Sequence, residues 1–120
     1  MLAAAVAWPA LAQAAELVMF ARTGCPWCER WDHEVGTLYP KTETAKLLPL
    51  RRVNIDARAP QGMILATPVL FTPTFVVVDG GREVGRITGY INDDAFWGLL
   101  DQLVAKLRAT RPAGAKLTPS

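Results

Sequence analysis

The sequence predicts an α/β fold in which four short strands alternate with helices. Apolar runs of strand length recur along the chain, and stretches with a helical spacing of apolar residues follow them. A turn with two glycines, Asp79-Gly80-Gly81, joins the last two runs and is typical of a β-hairpin. The predicted order is strand, helix, strand, irregular segment or short helix, strand, strand, helix.

The first half is expected to hold a strand, a loop, a helix and a second strand. Residues 16–21 form the strand, and residues 22–24 form the loop. On the following helix, four residues at helical spacing are expected to face the core: Cys28, Trp31, Val35 and Leu38. Tyr39-Pro40 interrupts this helix because proline cannot continue it. One more turn, at residues 42–47, then leads into a strand over residues 51–56.

The second half is expected to hold a hairpin and a long helix. Residues 57–67 are weakly patterned and leave room for a short helix, whereas residues 75–78 and 82–88 form the hairpin strands. Asn92 is predicted to cap the last helix, since asparagine side chains accept hydrogen bonds from free N–H groups at a helix start. The inner face of that helix is expected to carry Phe96, Leu99, Leu100, Leu103 and Leu107.

Length and charge limit the possible functions. A chain of 120 residues is long enough for one hydrophobic core but not for two. The 13 basic and 11 acidic residues give a net charge of +2, and the basic residues form no dense run. We therefore exclude nucleic acid as a partner.

Residues 1–15 differ in composition from the rest of the chain. They contain no charged residue, are rich in alanine, and include Ala12-Gln13-Ala14, which matches a signal-peptide cleavage pattern. The stretch is too short to span a membrane. Because no basic residue precedes the apolar run, we interpret it as a truncated signal peptide, followed by a domain over residues 16–110 and a flexible tail over residues 111–120. An exported protein would work in an oxidising compartment, here the periplasm.

Both cysteines of the chain lie in one motif, Cys25-Pro26-Trp27-Cys28, between the first strand and the first helix. Side chains three residues apart on a helix share a face, so the two sulfurs are close enough to form a disulfide with little backbone movement. Cys25 is expected near the N-cap and Pro26 at the first helical position. The positive helix end would lower the pKa of Cys25 and favour the nucleophilic thiolate. Cys28 would be shielded and act as the resolving thiol.

Two other interpretations of the motif are weaker. A structural disulfide across so short a loop would add little stability. A structural zinc site needs four ligands, whereas the chain offers two cysteines and one histidine, His33. A redox-active pair is favoured, because this motif beside a strand is typical of thioredoxin-like proteins.

The chain resembles the thioredoxin superfamily in this motif and in Thr72-Pro73-Thr74, which directly precedes the third strand. The resemblance implies a minimal thioredoxin fold, a four-stranded mixed sheet flanked by helices. It also implies that Pro73 is a cis proline opposite the cysteines and that the Thr72 backbone pairs with an extended substrate segment. Thr67-Pro68 is a less suitable candidate because of its distance from the strand.

The chain departs from typical thioredoxins at the position of a buried acid. Thioredoxins carry an aspartate six residues before the first cysteine, where this chain has Met19. Water or the region of Arg52, which matches a thioredoxin lysine, would then have to modulate proton transfer from Cys28. The Pro-Trp pair between the cysteines is closer to the Pro-Tyr of glutaredoxins.

A narrower resemblance covers residues 25–107. Gly-Cys-Pro-Trp-Cys, Phe-Thr-Pro-Thr-Phe-Val and Phe-Trp-Gly-Leu-Leu are similar to segments of the periplasmic thioredoxin-like proteins encoded with bacterial sulfur-oxidation (Sox) genes. This resemblance implies a thiol-disulfide reductase that keeps the cysteine of the Sox sulfur carrier reduced. A membrane electron donor would re-reduce the protein itself.

Together these observations predict a periplasmic thiol-disulfide oxidoreductase with Cys25 and Cys28 as catalytic residues. Trp27, Pro26, Thr72 and Pro73 are expected to contact a cysteine-bearing protein substrate, with no metal and no cofactor besides the cysteine pair. Alternatives are a glutaredoxin-like protein, a cytochrome c maturation thioredoxin, or a non-catalytic module that binds a partner peptide.

Overall fold

The computed structural model describes residues 14–57 and 62–111. Four strands form one mixed sheet in the order β2-β1-β3-β4. Strand β1 pairs in parallel with β2 and antiparallel with β3, and β3 pairs antiparallel with β4. The strand bounds are β1 Ala15–Ala21, β2 Leu50–Asn54, β3 Thr74–Asp79 and β4 Arg82–Thr88. This architecture confirms the predicted α/β thioredoxin fold.

The helices pack mainly on one face of this sheet. Helix α1 (Pro26–Trp31) continues into a π-helical turn (Asp32–Gly36), and a 3₁₀ turn (Tyr39–Lys41) leads to α2 (Glu43–Leu47). The last helix, α3 (Asp93–Thr110), begins as predicted with the side chain of Asn92 accepting a hydrogen bond from the N–H of Ala95. None of the helices in the described residues is both long and apolar enough to cross a membrane.

The main core lies between the sheet and the helices α1 and α3. Its centre is an aromatic cluster in which the Trp31 ring lies 5.1 Å from Phe75 and 5.6 Å from Phe96, measured between centroids. Cys25 and Cys28 belong to the same buried cluster. A smaller cluster on the other face of the sheet is formed by Val18, Phe20, Val76 and Val78. The cysteine pair is therefore supported by the larger, aromatic side of the core.

Two residues predicted to face the core do not. Leu38 is 57% exposed, and Tyr39 is buried in its place. In the π-helical turn, Thr37 donates to the carbonyl of Asp32, five residues back, so the helix contains one extra residue and Leu38 rotates outward. Leu99 is 42% exposed because it lies at the edge of the stripe that buries Phe96 and Leu100.

Strand β2 ends before the predicted Asp56. The side chain of Asn54 accepts a hydrogen bond from the N–H of Asp56 at 2.8 Å, and this local bond turns the chain away from the sheet. Ala57 and residues 62–67 contain no helix, and residues 58–61 lie outside the described part of the chain. Most of the predicted signal peptide (residues 1–13) and of the predicted tail (112–120) also lie outside it.

Candidate active site

The cysteine motif stands where β1 leaves the sheet and α1 begins. The N–H of Cys25 donates to the carbonyl of Arg22 at 3.2 Å, and Gly24 takes a φ of 78°, a conformation that favours glycine. Cys25 is the N-cap residue, and Pro26 is the first residue of the helix, as the sequence predicted. The backbone N–H of Cys28 donates to the Cys25 Sγ at 3.2 Å. The sulfur of Cys25 therefore replaces the usual capping oxygen.

Cys25 and Cys28 are joined by a disulfide. Their Cα atoms are 5.2 Å apart, within the usual range for disulfides. Cys25 is 8% exposed and Cys28 is 4% exposed. Both sulfurs belong to a mostly buried pair, and Cys25 is slightly the more accessible.

The loop before β3 faces the disulfide. The Thr72–Pro73 peptide bond is cis, which confirms the predicted geometry of Pro73. The hydroxyl of Thr72 donates to the Cys25 Sγ at 3.3 Å, a contact that the sequence did not indicate. Within the described residues, the main chain of Thr72 makes no hydrogen bond. Cys25 thus receives two hydrogen-bond donors, and the Thr72 backbone is available to an added segment.

Large apolar side chains are exposed on the segments that carry or adjoin the cysteines and the cis proline. Trp27 is 52% exposed, consistent with its position off the core-facing stripe, and Phe71 and Ile91 are also exposed. Phe71 precedes Thr72 in the chain, and Ile91 follows a loop in which the N–H of Gly89 donates to the carbonyl of Pro73 at 2.7 Å. The three segments are connected by the hydrogen bonds from Thr72 to Cys25 and from Gly89 to Pro73.

A polar network of Arg30, Glu34 and Tyr90 contacts Trp27. The Arg30 guanidinium lies 5.6 Å from the centroid of the Trp27 ring and 6.0 Å from that of Tyr90. Arg30 also donates to Glu34, whose other carboxylate oxygen accepts from the Tyr90 hydroxyl. Hydrogen bonds from Tyr90 and then Arg30 lower the pKa of Glu34. Arg30 and Glu34 are four residues apart, a spacing that favours an ion pair on a helix.

The role of Tyr90 in this network could not be read from the sequence. The sequence indicates only the contacts among the other three residues. Helical spacing at i, i+3 and i+7 places Trp27, Arg30 and Glu34 on one helix face.

Under the active-site helix, Met19 occupies the position of the missing acid. Its side chain is fully buried, and its Sδ lies 3.6 Å from the Arg52 Nη1. Arg52 also donates to the Asp32 carboxylate at 2.6 Å and stacks on the Trp31 ring at 5.7 Å. The cation is therefore paired with a carboxylate of the active-site helix, not with a buried acid on β1.

A second ion pair fixes the loop before Cys25. Arg22 makes two parallel hydrogen bonds to Asp56, at 2.9 and 3.0 Å, and these lower the pKa of Asp56. The pair joins the end of β1 to the turn after β2. Across residues 14–57 and 62–111, no three His, Cys, Asp or Glu side chains come together as a metal site would require.

This arrangement supports thiol-disulfide exchange. In the reduced state, we expect the thiolate of Cys25 to attack a sulfur of a partner disulfide, so that one partner sulfur leaves as a thiol. Cys28 would then attack the Cys25 sulfur, release the second partner sulfur and form the Cys25–Cys28 disulfide. Two electrons and two protons pass to the partner in each cycle.

Comparisons with known proteins agree with this geometry. A family model described as a thioredoxin-like domain matches residues 11–104. The periplasmic thioredoxin SoxS from Paracoccus pantotrophus, solved in its reduced form, is 41% identical. The match covers 78% of this chain and 98% of that one, with a TM-score of 0.76. No curated protein matches the chain significantly.

More distant structures share the fold. Thioredoxin from Fasciola hepatica is 22% identical, with a TM-score of 0.56 and coverage of 78% of this chain and 82% of that one. The Drosophila thioredoxin Deadhead is 20% identical, with a TM-score of 0.54 and coverage of 79% and 82%. The chain belongs to the thioredoxin-like domain family and is a thiol-disulfide oxidoreductase.

Proposed function

We propose that the protein is a periplasmic reductase that keeps the cysteine of a sulfur-oxidation carrier protein reduced. The observation that carries this proposal is the 41% identity to periplasmic SoxS over nearly the whole of that chain. The cysteine pair, the Thr72–Pro73 loop and the exposed Trp27 of this chain fit a protein substrate. A membrane electron donor of the dithiol type would restore the reduced pair after each cycle.

The surroundings of Cys25 suit a reductant of moderate strength. The N–H of Cys28 and the hydroxyl of Thr72 both point at its sulfur and stabilise a thiolate there. Met19 leaves no buried carboxylate beneath the pair to oppose this charge. An attacking thiol works best when its pKa is near the ambient pH, so a moderate stabilisation serves reduction better than an extreme one.

The substrate would lie along the loop before β3. Its extended segment would pair with the Thr72 main chain, and its side chains would contact Trp27 and Pro73, with Pro26 at the edge of the contact. In this arrangement the substrate sulfur meets Cys25, the more exposed residue of the pair. No resident cofactor or metal takes part in the proposed reaction.

Trapping of the partner tests the proposal. A Cys28→Ser variant cannot resolve the mixed disulfide and should accumulate in the native periplasm as a covalent complex with the sulfur carrier on Cys25. Cys25→Ser is the matched control, and it should trap nothing. Recovery of a different, unrelated set of partners would contradict the proposal. If Cys25→Ser still co-purifies the partner and Cys28→Ser forms no covalent complex, the protein is a binding module instead.

The reduction potential separates a reductase from an oxidase. Thioredoxin, a reductant, has a potential of about −270 mV, and the strong oxidant DsbA has one of about −120 mV. We expect a value near the first. A value near the second would contradict the reductase assignment and leave the exchange chemistry intact.

A further inference from the structure

We propose that Arg30 is a positioning residue that holds Trp27 for protein substrates and so determines their affinity without changing the sulfur chemistry. The inference rests on the proposed contact between Trp27 and the substrate. Its basis is the polar network in which Arg30 and Glu34, on the segment that begins at the cysteines, meet Tyr90 from the loop after β4.

Arg30 contacts three side chains. Its guanidinium lies near two aromatic rings, 5.6 Å from the Trp27 centroid and 6.0 Å from the Tyr90 centroid. Its Nε donates to one oxygen of Glu34 at 3.0 Å, and the Tyr90 hydroxyl donates to the other oxygen at 2.6 Å. The cation is thus held by two aromatic rings and a carboxylate, and the exposed indole of Trp27 lies against it.

Tyr90 is the fixed point of the network. It is buried, and its ring packs against Phe96 of α3 with 6.4 Å between centroids. Burial is the main reason that its pKa is raised, followed by the hydrogen bond to Glu34. Tyr90 therefore stays neutral and continues to donate to Glu34 over the physiological pH range. Through Glu34 and Arg30, the core of the domain determines the position of a surface tryptophan.

The same network joins two parts of the proposed substrate site. Tyr90 follows Gly89, whose N–H donates to the carbonyl of Pro73 at 2.7 Å. Trp27 on the active-site helix and Pro73 on the loop before β3 are thereby fixed relative to each other. A rigid aromatic contact binds at a lower entropic cost than a mobile one, so the network should strengthen substrate binding.

The test compares a protein disulfide with a small one. Arg30→Gln, Trp27→Ala and the double variant are assayed with insulin and with hydroxyethyl disulfide. Lys46→Gln is the matched control, because it removes the same positive charge as Arg30→Gln. Lys46 forms an exposed ion pair with Glu43 on α2. Exposed cation–π contacts of this kind correspond to about a two- to fivefold change in affinity.

For Arg30→Gln, we expect KM for insulin to rise about two- to fivefold, with kcat and the rate on hydroxyethyl disulfide unchanged. In the Trp27→Ala background, the same substitution should have no further effect. Lys46→Gln should behave as wild type. An equal loss on the small disulfide, or the same loss without Trp27, would overturn the inference.

The single variant Trp27→Ala separates the two proposals. If it raises KM for insulin and Arg30→Gln does not, the positioning role is wrong and the substrate contact stands. If it leaves KM unchanged, the substrate contact fails and the positioning role fails with it. Relaxation of the Trp27 indole N–H in ¹⁵N NMR provides a direct readout. Arg30→Gln should increase its motion on the picosecond-to-nanosecond timescale, and an unchanged signal would contradict the proposal.

Discussion

Replacement of Thr72 by valine should weaken Cys25 as a nucleophile. Valine keeps the shape of threonine but removes the hydroxyl that donates to the Cys25 Sγ at 3.3 Å. Hydrogen bonds to charged groups contribute about 1.5–3 kcal/mol. Because this one is partly exposed and its acceptor is sulfur, about 1 kcal/mol is the appropriate magnitude. The loss raises the pKa of the Cys25 thiol, and below the titration midpoint it lowers the thiolate population about fivefold.

Alkylation by iodoacetamide measures this change directly. In a Cys28→Ser background only one thiol reacts, and at a pH below its midpoint we expect Thr72→Val to slow the reaction about fivefold. With both cysteines present, and at a pH above that midpoint where the thiolate predominates, the reduced state is less stable by the same energy. The reduction potential should then become about 20 mV more negative.

Thr72→Ser is the control for this prediction because it retains the hydroxyl and should react at close to the wild-type rate. Equal rates in Thr72→Val and wild type would refute the argument, because the hydroxyl would then contribute nothing to the thiolate. Equal slowing in both variants would show that the shape of the side chain matters and the hydrogen bond does not.

Three further predictions concern stability. Gly98→Ala should stabilise the protein by about 1 kcal/mol, since an added Cβ meets open space and alanine favours a helix. Gly36→Ala should destabilise it by about 1–3 kcal/mol, because its Cβ would lie 3.0 Å from the Trp31 ring. Urea unfolding measures the free energy of unfolding of both variants. A stabilising effect of Gly36→Ala, like that of Gly98→Ala, would contradict the packing at Gly36. The side chain of Glu83 is 6% exposed, and its pKa is lowered first by hydrogen bonds from Arg86. The ionised Glu83 side chain stabilises the fold fully above its pKa in the unfolded chain, about 4.3. This stabilisation is lost as the pH falls through the lower pKa of the folded state. Glu83→Gln should therefore lower the free energy of unfolding by about 2 kcal/mol at pH 7 and by less at pH 3. An equal loss at both pH values would refute a stabilising role of the ionised carboxylate.

Much of the fold could be predicted because local signals agreed with one another. The strand-length runs, the Asp79-Gly80-Gly81 turn and the Asn92 cap each have a local physical cause that tertiary packing does not override. The predicted core position of Leu38 is wrong because the segment before it contains a π-helical turn in place of a regular helix. The spacing of apolar residues does not distinguish the two kinds of helix, and the packing of Gly36 against the Trp31 ring depends on the three-dimensional structure.

Some features of the active site could likewise be predicted from the sequence, and others could not. Cys25, Pro26 and Cys28 depend on spacing along one helix, so their positions at its start could be predicted. The hydrogen bond from Thr72 to Cys25 joins residues 47 positions apart, and that from Tyr90 to Glu34 joins residues 56 apart. Contacts across such separations depend on the sheet order and on side-chain rotamers, which a single sequence does not specify.

The π-helical turn restricts the number of residues that can lie between the cysteines and β2. It contains one more residue than a regular α-helical turn, so a deletion within residues 32–36 would restore the α-helical register. Tyr39 would then rotate away from the core, and the carbonyl of Leu48 would lose the Tyr39 hydroxyl that now donates to it at 2.7 Å. Between the cysteines and β2, the core therefore constrains the number of residues as strictly as it constrains their identity.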